Sequence, residues 1–276
     1  MTKNIQELED IARLIRSRVI KTSHLSGTPH LGSCLSCVDI LVALYFSELK
    51  IYPEDPQNDF RDRFVLSKGH AAPALFQVLG LRGFFNERLL DNYGLDGGVF
   101  AEHPPTPSHL AGIEAATGSL GHGLPMALGM AFAAKLKTQD LRVFSVVGDG
   151  ECNEGSIWEA AMLAAAHKLN NLCIFIDFNK WQATGRSCEI MSLDSMVDKW
   201  RAFGWEAMEI NGNVMSEVLA SIECFRTNEA RKPFAIIAHT IKGYGVDFMQ
   251  DDNNWHYKIP SEKDVVEANK QLGFFS

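Results

Sequence analysis

Two oxygen-bearing side chains, Asp149 and Asn179, each follow a run of apolar residues. The first run is Arg142-Val-Phe-Ser-Val-Val147 and the second is Leu172-Cys-Ile-Phe-Ile176. Continuous apolar runs of this length are typical of strands buried on both faces of a parallel sheet. The ends of neighbouring parallel strands can offer both oxygens to one cation. A single carboxylate and an amide oxygen make a poor cage for calcium. They suit magnesium, which keeps water and takes further ligands from a phosphate. Gly148 and Gly150 flank Asp149 and would let backbone approach that phosphate. A plain tight turn would also use Gly-Asp-Gly, so both readings stay open here.

A dinucleotide site competes poorly. The glycine after Gly148-x-Gly150 is Gly155, not residue 153, so G-x-G-x-x-G fails. Gly118-Ser-Leu-Gly-His-Gly123 has the reverse spacing with no strand before it, and no G-K-[ST] phosphate loop occurs.

The elements around these residues read as α/β. Residues 4–20 carry Ile5, Leu8, Ile11, Leu14, Ile15 and Val19 at helical spacing. Ser36 is expected to cap a second helix bearing Ile40, Leu41, Leu44 and Tyr45. A polar loop at 52–62 leads to a short strand, Phe64-Val-Leu66. Residues 92–112, dense in Gly, Pro and His, read as a long loop of the kind that is usually functional. Ser156 and Glu159 suggest a capping box for a helix over 157–168, with Trp158, Ala161, Met162 and Ala165 on one face. Phe234-Ala-Ile-Ile-Ala238 is a further strand. Strands alternating with helices give a doubly wound, mostly parallel sheet flanked by helices. Ligands in such folds sit beyond the carboxyl ends of the strands, where Asp149 and Asn179 fall.

With 276 residues the chain suits one α/β domain better than two with a linker. A formal net charge of −8 argues against nucleic-acid and anionic-membrane partners. No signal-peptide core or span-length apolar stretch is evident. The six cysteines, scattered at 34, 37, 152, 173, 188 and 224, are expected to be reduced thiols of a cytoplasmic protein. Cys34-x-x-Cys37 lacks a second Cys/His pair and is read as structural.

Five ordered segments together resemble the transketolase family of thiamine-diphosphate enzymes. Gly148-Asp-Gly-Glu-Cys-Asn-Glu-Gly155, followed by Asp177-Phe-Asn-Lys-Trp181, resembles the thiamine-diphosphate signature. Ser67-Lys-Gly-His70 looks like the family's S-x-G-H. Glu102-His103-Pro104 is similar to its G-H-P, and Glu114-Ala-Ala-Thr-Gly-Ser-Leu-Gly-His-Gly123 to its E-x-x-T-G-x-L-G-x-G. Thr240-Ile-Lys-Gly-Tyr-Gly245 looks like T-x-I-G-x-G with one residue more. The resemblance runs from about residue 8 to 258. It implies a thiamine-diphosphate-binding fold, with residues 1–276 forming one diphosphate-binding domain. The pyrimidine-binding and C-terminal domains of the family would then lie on a separate chain. That makes this chain the N-terminal subunit of a split transketolase, with an α2β2 assembly expected by analogy. Such an enzyme moves a two-carbon ketol unit from a ketose phosphate to an aldose phosphate.

Carried over position by position, the resemblance implies thiamine diphosphate with Mg²⁺, calcium or manganese being substitutes. Asp149, Asn179 and the backbone carbonyl of Trp181 would hold the metal. Gly148 and Gly150 would lie against the diphosphate, and Gly118 and Leu120 near the aminopyrimidine. Glu154 would sit at the subunit interface beside the cofactor. His30, His70, His103 and His256 would face the thiazolium and substrate, with His70 and His256 also touching the cofactor. Together with Glu154 they form the expected catalytic set. Proton transfers at substrate hydroxyls call for groups titrating near neutrality, which is the usual role of histidine. Asp177 is read as orienting the metal loop, and His122 as either structural or lining the diphosphate. His24, His109, His167 and His239 are read as structural.

Three departures qualify the match. The family's S-G-H is interrupted, since Ser26-Gly27 is followed by Thr28-Pro29 before His30, so Thr28 competes with His30 for the first histidine position. Glu102 replaces a glycine, and Tyr257 follows His256 where the family has glycine. Two other functions remain open on these residues: the α component of a 2-oxoacid dehydrogenase, and a cofactor-binding scaffold without catalysis.

Overall fold

A computed structural model describes residues 3–193 and 195–275. Residues 1, 2, 194 and 276 of the expected domain lie outside the described residues. Helices α1 (Ile5–Ser26), α2 (Leu31–Ser36) and α3 (Val38–Ala43) come first. Strand β1 (Arg63–Leu66), α4 (Ala72–Leu81), α5 (Gly123–Leu136) and β2 (Val143–Gly148) follow. Next come α6 (Gly155–Ala166), β3 (Leu172–Phe178), α7 (Ser187–Ile190) and α8 (Met196–Ala202). The order ends with β4 (Glu206–Asn211), α9 (Met215–Arg226), β5 (Phe234–His239) and α10 (Glu262–Gln271).

The five strands form one parallel sheet in the order β1-β2-β3-β5-β4. Alternate residues of each strand point to opposite faces, so each face needs its own helical cover. Phe144, Val146, Phe175, Ile236 and Ala238 pack with residues of α1, α3, α4 and α9. Val143, Val147, Ile174, Ile176 and Ile237 pack with residues of α5, α6 and α8. The doubly wound expectation holds.

Several local expectations shift. The first helix runs six residues beyond residue 20. Asn4 and Glu7 form a reciprocal capping box at its start, and Gly27 closes it at φ +67°. Ser36 caps nothing: buried, it donates to Asp177 Oδ2 at 2.7 Å, and Cys37 separates α2 from α3. The Ser156/Glu159 box does not form either. The helix begins earlier, with Glu154 at the cap position, and Ser156 Oγ donates to Gly121 O at 2.8 Å. Its buried face is therefore Ile157, Ala160, Ala161 and Ala164, while Met162 is 55% exposed. Strand β4 has no counterpart among the expected elements; it is an edge strand with a mixed charged and apolar sequence.

The loop expected at 92–112 is longer still, with no helix or strand from 93 to 122. It is anchored by buried Phe100, Leu110 and Ile113, by a buried Arg61–Glu114 ion pair, and by Thr117 Oγ1 donating to Leu66 O at 2.7 Å. No described helix is long and apolar enough to cross a membrane.

Gly123 opens α5 hard against the end of β1. A Cβ there would meet Ser67 Cα at 2.4 Å, a backbone atom with no room to move. The close approach lets Ser67 Oγ accept Leu124 N at 3.1 Å. Gly123→Ala is expected to cost about 1–3 kcal/mol, as overpacking of a tight contact does. A thermal melt showing an unchanged Tm would contradict this packing account.

Candidate active site

Gly148 pairs with Asp177 in the sheet register, so the β2 and β3 exits lie side by side at one edge. Beyond them is a cavity of about 330 Å³. Its wall contains His30, His70, His103, Gly118, Leu120, Gly148, Asp149, Gly150, Asn179, Trp181 and His256. The structure thus brings together every expected site residue but one. The exception is Glu154, which is exposed at the head of α6 and outside the cavity wall. His30 lies in the wall, whereas Thr28 is buried outside it beside Ser26 Oγ at 2.8 Å. His122 is exposed and its Nδ1 is 3.1 Å from Leu120 O, so it does not line the cavity.

An ion pair absent from the expected site sits at the floor, where Lys68 lines the cavity and Asp177 lies behind it. Lys68 and Asp177 are both fully buried, and Lys68 Nζ contacts Asp177 Oδ2 while donating to Ser33 O at 2.8 Å. Asp177 also accepts from Ser36 Oγ at 2.7 Å, Thr240 Oγ1 at 2.5 Å and Asn179 Nδ2 at 3.2 Å. Burial opposes both charges. Their mutual attraction outweighs it, holding Asp177 below and Lys68 above its ordinary range. Asn179 is thereby oriented by Asp177, with its Oδ1 accepting Trp181 N at 3.1 Å.

Asp149 faces a different environment. Its Oδ1 accepts Gly150 N at 2.9 Å, and its Oδ2 accepts Lys180 N at 2.9 Å and Ser187 Oγ at 2.8 Å. Burial pushes its carboxyl up to about 6 despite these bonds. Trp181 pairs with Arg186 across a short hairpin. The flanking bonds are Gln182 N to Gly185 O and Ser187 N to Lys180 O. Trp181 is therefore at a non-hydrogen-bonded position, and the ladder leaves its carbonyl free. A desolvated carboxylate, an oriented amide oxygen and a free carbonyl in one wall suit a hard cation of magnesium type. Among the described residues no cluster of three or more His, Cys, Asp or Glu could hold a metal, so a cation here draws on amide and backbone oxygens. Glu151 is also buried in this wall, accepting from Ser67 Oγ at 2.6 Å, Gly121 N at 2.9 Å and Gly148 N at 3.1 Å.

Four imidazoles occupy the same cavity. From His30, ring centroids lie at 4.7 Å to His256, 5.5 Å to His70 and 6.1 Å to His103. His30 holds a left-handed backbone at φ +70°, uncommon for a side chain of this size, and its N–H donates to His256 O at 2.7 Å. Burial lowers His30 to about 4 and His256 to about 3, and holds His70 well below its ordinary value. These three rings are neutral at pH 7. Lys242, fully buried, donates to Asn253 Oδ1 at 2.6 Å and lies 3.2 Å from His256 Nδ1. Burial lowers this ammonium to about 8. An ammonium only donates, so His256 Nδ1 accepts and its proton sits on Nε2. That proton points to His30 Nδ1 at 3.2 Å, leaving the His30 proton on Nε2. These tautomers are assigned from donor logic.

Lys68 lies inside the Ser67–His70 motif and Lys242 inside Thr240–Gly245, yet the sequence reading assigns a role to neither. Their signal is a lysine amid small and apolar residues. Ser33, Glu151, Gln182, Ala183 and Thr184 also line the cavity and escape that reading.

Removing one partner of the buried pair leaves the other charge unmatched. Lys68→Met is expected to cost about 3–5 kcal/mol, and Lys68→Met/Asp177→Asn to recover much of it. Urea denaturation of both variants checks this; a double variant no better than the single would contradict the pairing. A second expectation concerns pH. His30 and His256 have folded pKa values below the unfolded 6.5, so the folded state binds fewer protons. Their contribution is complete above pH 6.5 and is lost as pH falls toward 4 and then 3. Asp149 acts in the opposite sense, losing its contribution as pH rises from 3.8 through about 6. Burial raises the Glu151 carboxyl too, so three lowered histidines stand against two raised carboxyls; the urea midpoint is expected to be lower at pH 5 than at pH 7, and less so in His256→Asn.

The sequence matches the family described as "Transketolase, thiamine diphosphate binding domain" over residues 8–276. It is 39% identical to an apulose-4-phosphate transketolase subunit from Phocaeicola vulgatus, covering 97% of this chain and 94% of that one. It is 37% identical to the transketolase of Homo sapiens, covering 96% of this chain and 42% of the relative. Among solved structures, transketolase from Campylobacter jejuni superposes with a TM-score of 0.90 at 31% identity, over 99% of this chain and 43% of that one. The chain spans about two fifths of the length of the solved transketolases it matches. With the strand-end oxygens, the glycine-lined wall and the imidazole cluster in one cavity, this chain belongs to the transketolase family, in its thiamine diphosphate binding domain.

Proposed function

We propose that the chain is the N-terminal, diphosphate-binding subunit of a two-chain transketolase. It would move a two-carbon ketol unit from a ketose phosphate to an aldose phosphate in the cytoplasm, and only together with a second subunit. The observation that carries this reading is the single cavity shared by the Asp149–Asn179–Trp181 oxygens and four imidazoles. In it residues 1–276 act as one diphosphate-binding domain. Asp149, Asn179 and the Trp181 carbonyl hold Mg²⁺ against the diphosphate, and Gly148 and Gly150 keep backbone close to it. Bound thiamine diphosphate supplies the nucleophile and electron sink for breaking a carbon–carbon bond beside a carbonyl.

The chain's own groups then handle protons and orientation. His30 and His256, neutral and linked in a chain from Lys242, can pass a proton at a substrate hydroxyl without first discharging an imidazolium. His70 and His103 complete a desolvated wall in which such hydrogen bonds are strong. Glu102 and Tyr257 are both exposed, and each is next in sequence to a wall histidine. A carboxylate beside His103 disfavours a phosphate there, so on this reading the second subunit holds the substrate phosphate. The four-histidine wall favours a ketose substrate over the 2-oxoacid of a dehydrogenase α component. A scaffold without catalysis leaves the Lys242–His256–His30 chain without a use.

A partner is supported by the names of two relatives as transketolase subunits. Exposed apolar side chains on two helices support it too: Met126 and Leu136 of α5 and Met162 and Leu163 of α6 are 40–70% exposed. The two helices pack against each other, and Glu154, at the cap position of α6, meets the partner on this reading. The natural closed assembly is two copies of each chain.

Calorimetric titration of thiamine diphosphate and Mg²⁺ into this chain, alone and with its co-purified partner, tests the reading. Binding that needs the partner and weakens by roughly 100-fold or more in Asp149→Ala is the expected result. Binding in neither case would overturn it. Turnover of a 2-oxoacid but of no ketose phosphate would select the dehydrogenase instead.

A further inference from the structure

The loop that carries Trp181 is fastened at two places to the segment that carries His256. Trp181 Nε1 donates to Asp251 Oδ1 at 2.8 Å. Arg186 grips the same carboxylate with both arms, at 2.6 Å to each oxygen. Its guanidinium also lies 3.8 Å from the centre of the Trp181 ring. One residue pair along, Asn253 Nδ2 donates to Ala183 O at 3.1 Å, while Asn253 Oδ1 accepts from Lys242. Asp251 itself holds a left-handed backbone at φ +57°, and its N–H donates to Lys242 O at 2.8 Å. The other margin of the loop is tied inward, through Lys180 N and Ser187 Oγ on Asp149.

Isolated surface ion pairs contribute little, because water screens them and long side chains must be ordered. This pair is bidentate, it shares its carboxylate with an indole N–H, and its cation is stacked on the same indole, so three groups order one another. Nothing in the binding of a cation by Asp149 and Asn179 requires it. Its one evident effect is to fix the loop that presents the Trp181 carbonyl relative to the turn that presents His256.

We propose that Asp251 is a positioning residue whose clamp on Trp181 and Arg186 couples the cation-and-diphosphate end of the cavity to the His256 end. The coupling rests on the diphosphate reading of the site; the clamp does not. When the Trp181 loop is drawn onto a ligand, the His256 turn is ordered with it. Loosening of either segment loosens the other.

Hydrogen–deuterium exchange of the whole chain separates these levels. In the unliganded protein, Asp251→Asn and Arg186→Ala are each expected to speed exchange about threefold or more in both segments, 180–187 and 251–257, with the core strands unchanged. Faster exchange only in the segment bearing the substitution, or in neither, would overturn the clamp. Reversing the pair, Arg186→Asp with Asp251→Arg, is expected to restore part of the protection. It also guards against a variant that merely unfolds. With the partner chain present, saturating Mg²⁺ with thiamine diphosphate is then expected to protect both segments in the wild type, and only 180–187 in Asp251→Asn. Equal protection of 251–257 in the variant would overturn the coupling. Protection of neither segment in the wild type, with or without the partner chain, would count against the diphosphate reading, and the unliganded comparison would still decide the clamp.

Discussion

A single ammonium–carboxylate contact, Lys68 with Asp177, sits beneath the cavity and fixes what stands on it. Neither charge could be buried alone, since the cost of taking an ion out of water exceeds what one hydrogen bond returns. Together, with Ser33, Ser36, Thr240 and Asn179 supplying the remaining bonds, they form a satisfied polar network. That network ties α2, the turn after β1, the end of β3 and the end of β5 to one point. The orientation of Asn179 follows from it. Such a network adds little net stability over an apolar core. Its effect is to select one arrangement of four chain segments.

The imidazole cluster depends on the same burial. Desolvation keeps His30, His70 and His256 neutral beside two ammonium groups, where protonated rings would repel them and one another. Lys242 then sets the tautomer of His256, and His256 sets that of His30. The left-handed backbone of His30 is held by its N–H bond to the carbonyl of His256. Strain at one histidine is thus sustained by a second one 226 positions along the chain.

Much of this is legible in sequence because it rests on short-range chemistry. Strands β2, β3 and β5 announce themselves as unbroken apolar runs, which only a two-faced buried strand needs. Asp149, Asn179 and the motif histidines stand out because glycines and strand ends leave a fixed pattern. What escapes is decided by tertiary contacts. Strand β4 mixes charged and apolar residues and pairs on one edge only, so its sequence looks like loop or helix surface. Ser36 and Ser156 carry the right type for helix caps, yet each is drawn away by a stronger distant partner, Asp177 and the Gly121 carbonyl. Lys68 and Glu151 are hard to see because a buried charge is a property of its partner. The carboxylate that pairs with Lys68 lies 109 positions away, and the hydroxyl that meets Glu151 lies 84 away.

Glu151 has a broader implication. Its carboxylate already occupies the backbone amides of Gly148 and Gly121, donors that could otherwise have cradled a phosphate. Asp149, Glu151 and Lys68 line the cavity, and Asp177 and Lys242 are buried just behind it, so three buried carboxylates stand against two buried ammonium groups. With all five ionised they bear an excess of negative charge. A bare polyanion entering the cavity would be repelled, while a divalent ion alone would be drawn in and reverse the balance. On the proposed reading, this balance suits an anion accompanied by a divalent cation better than a bare one.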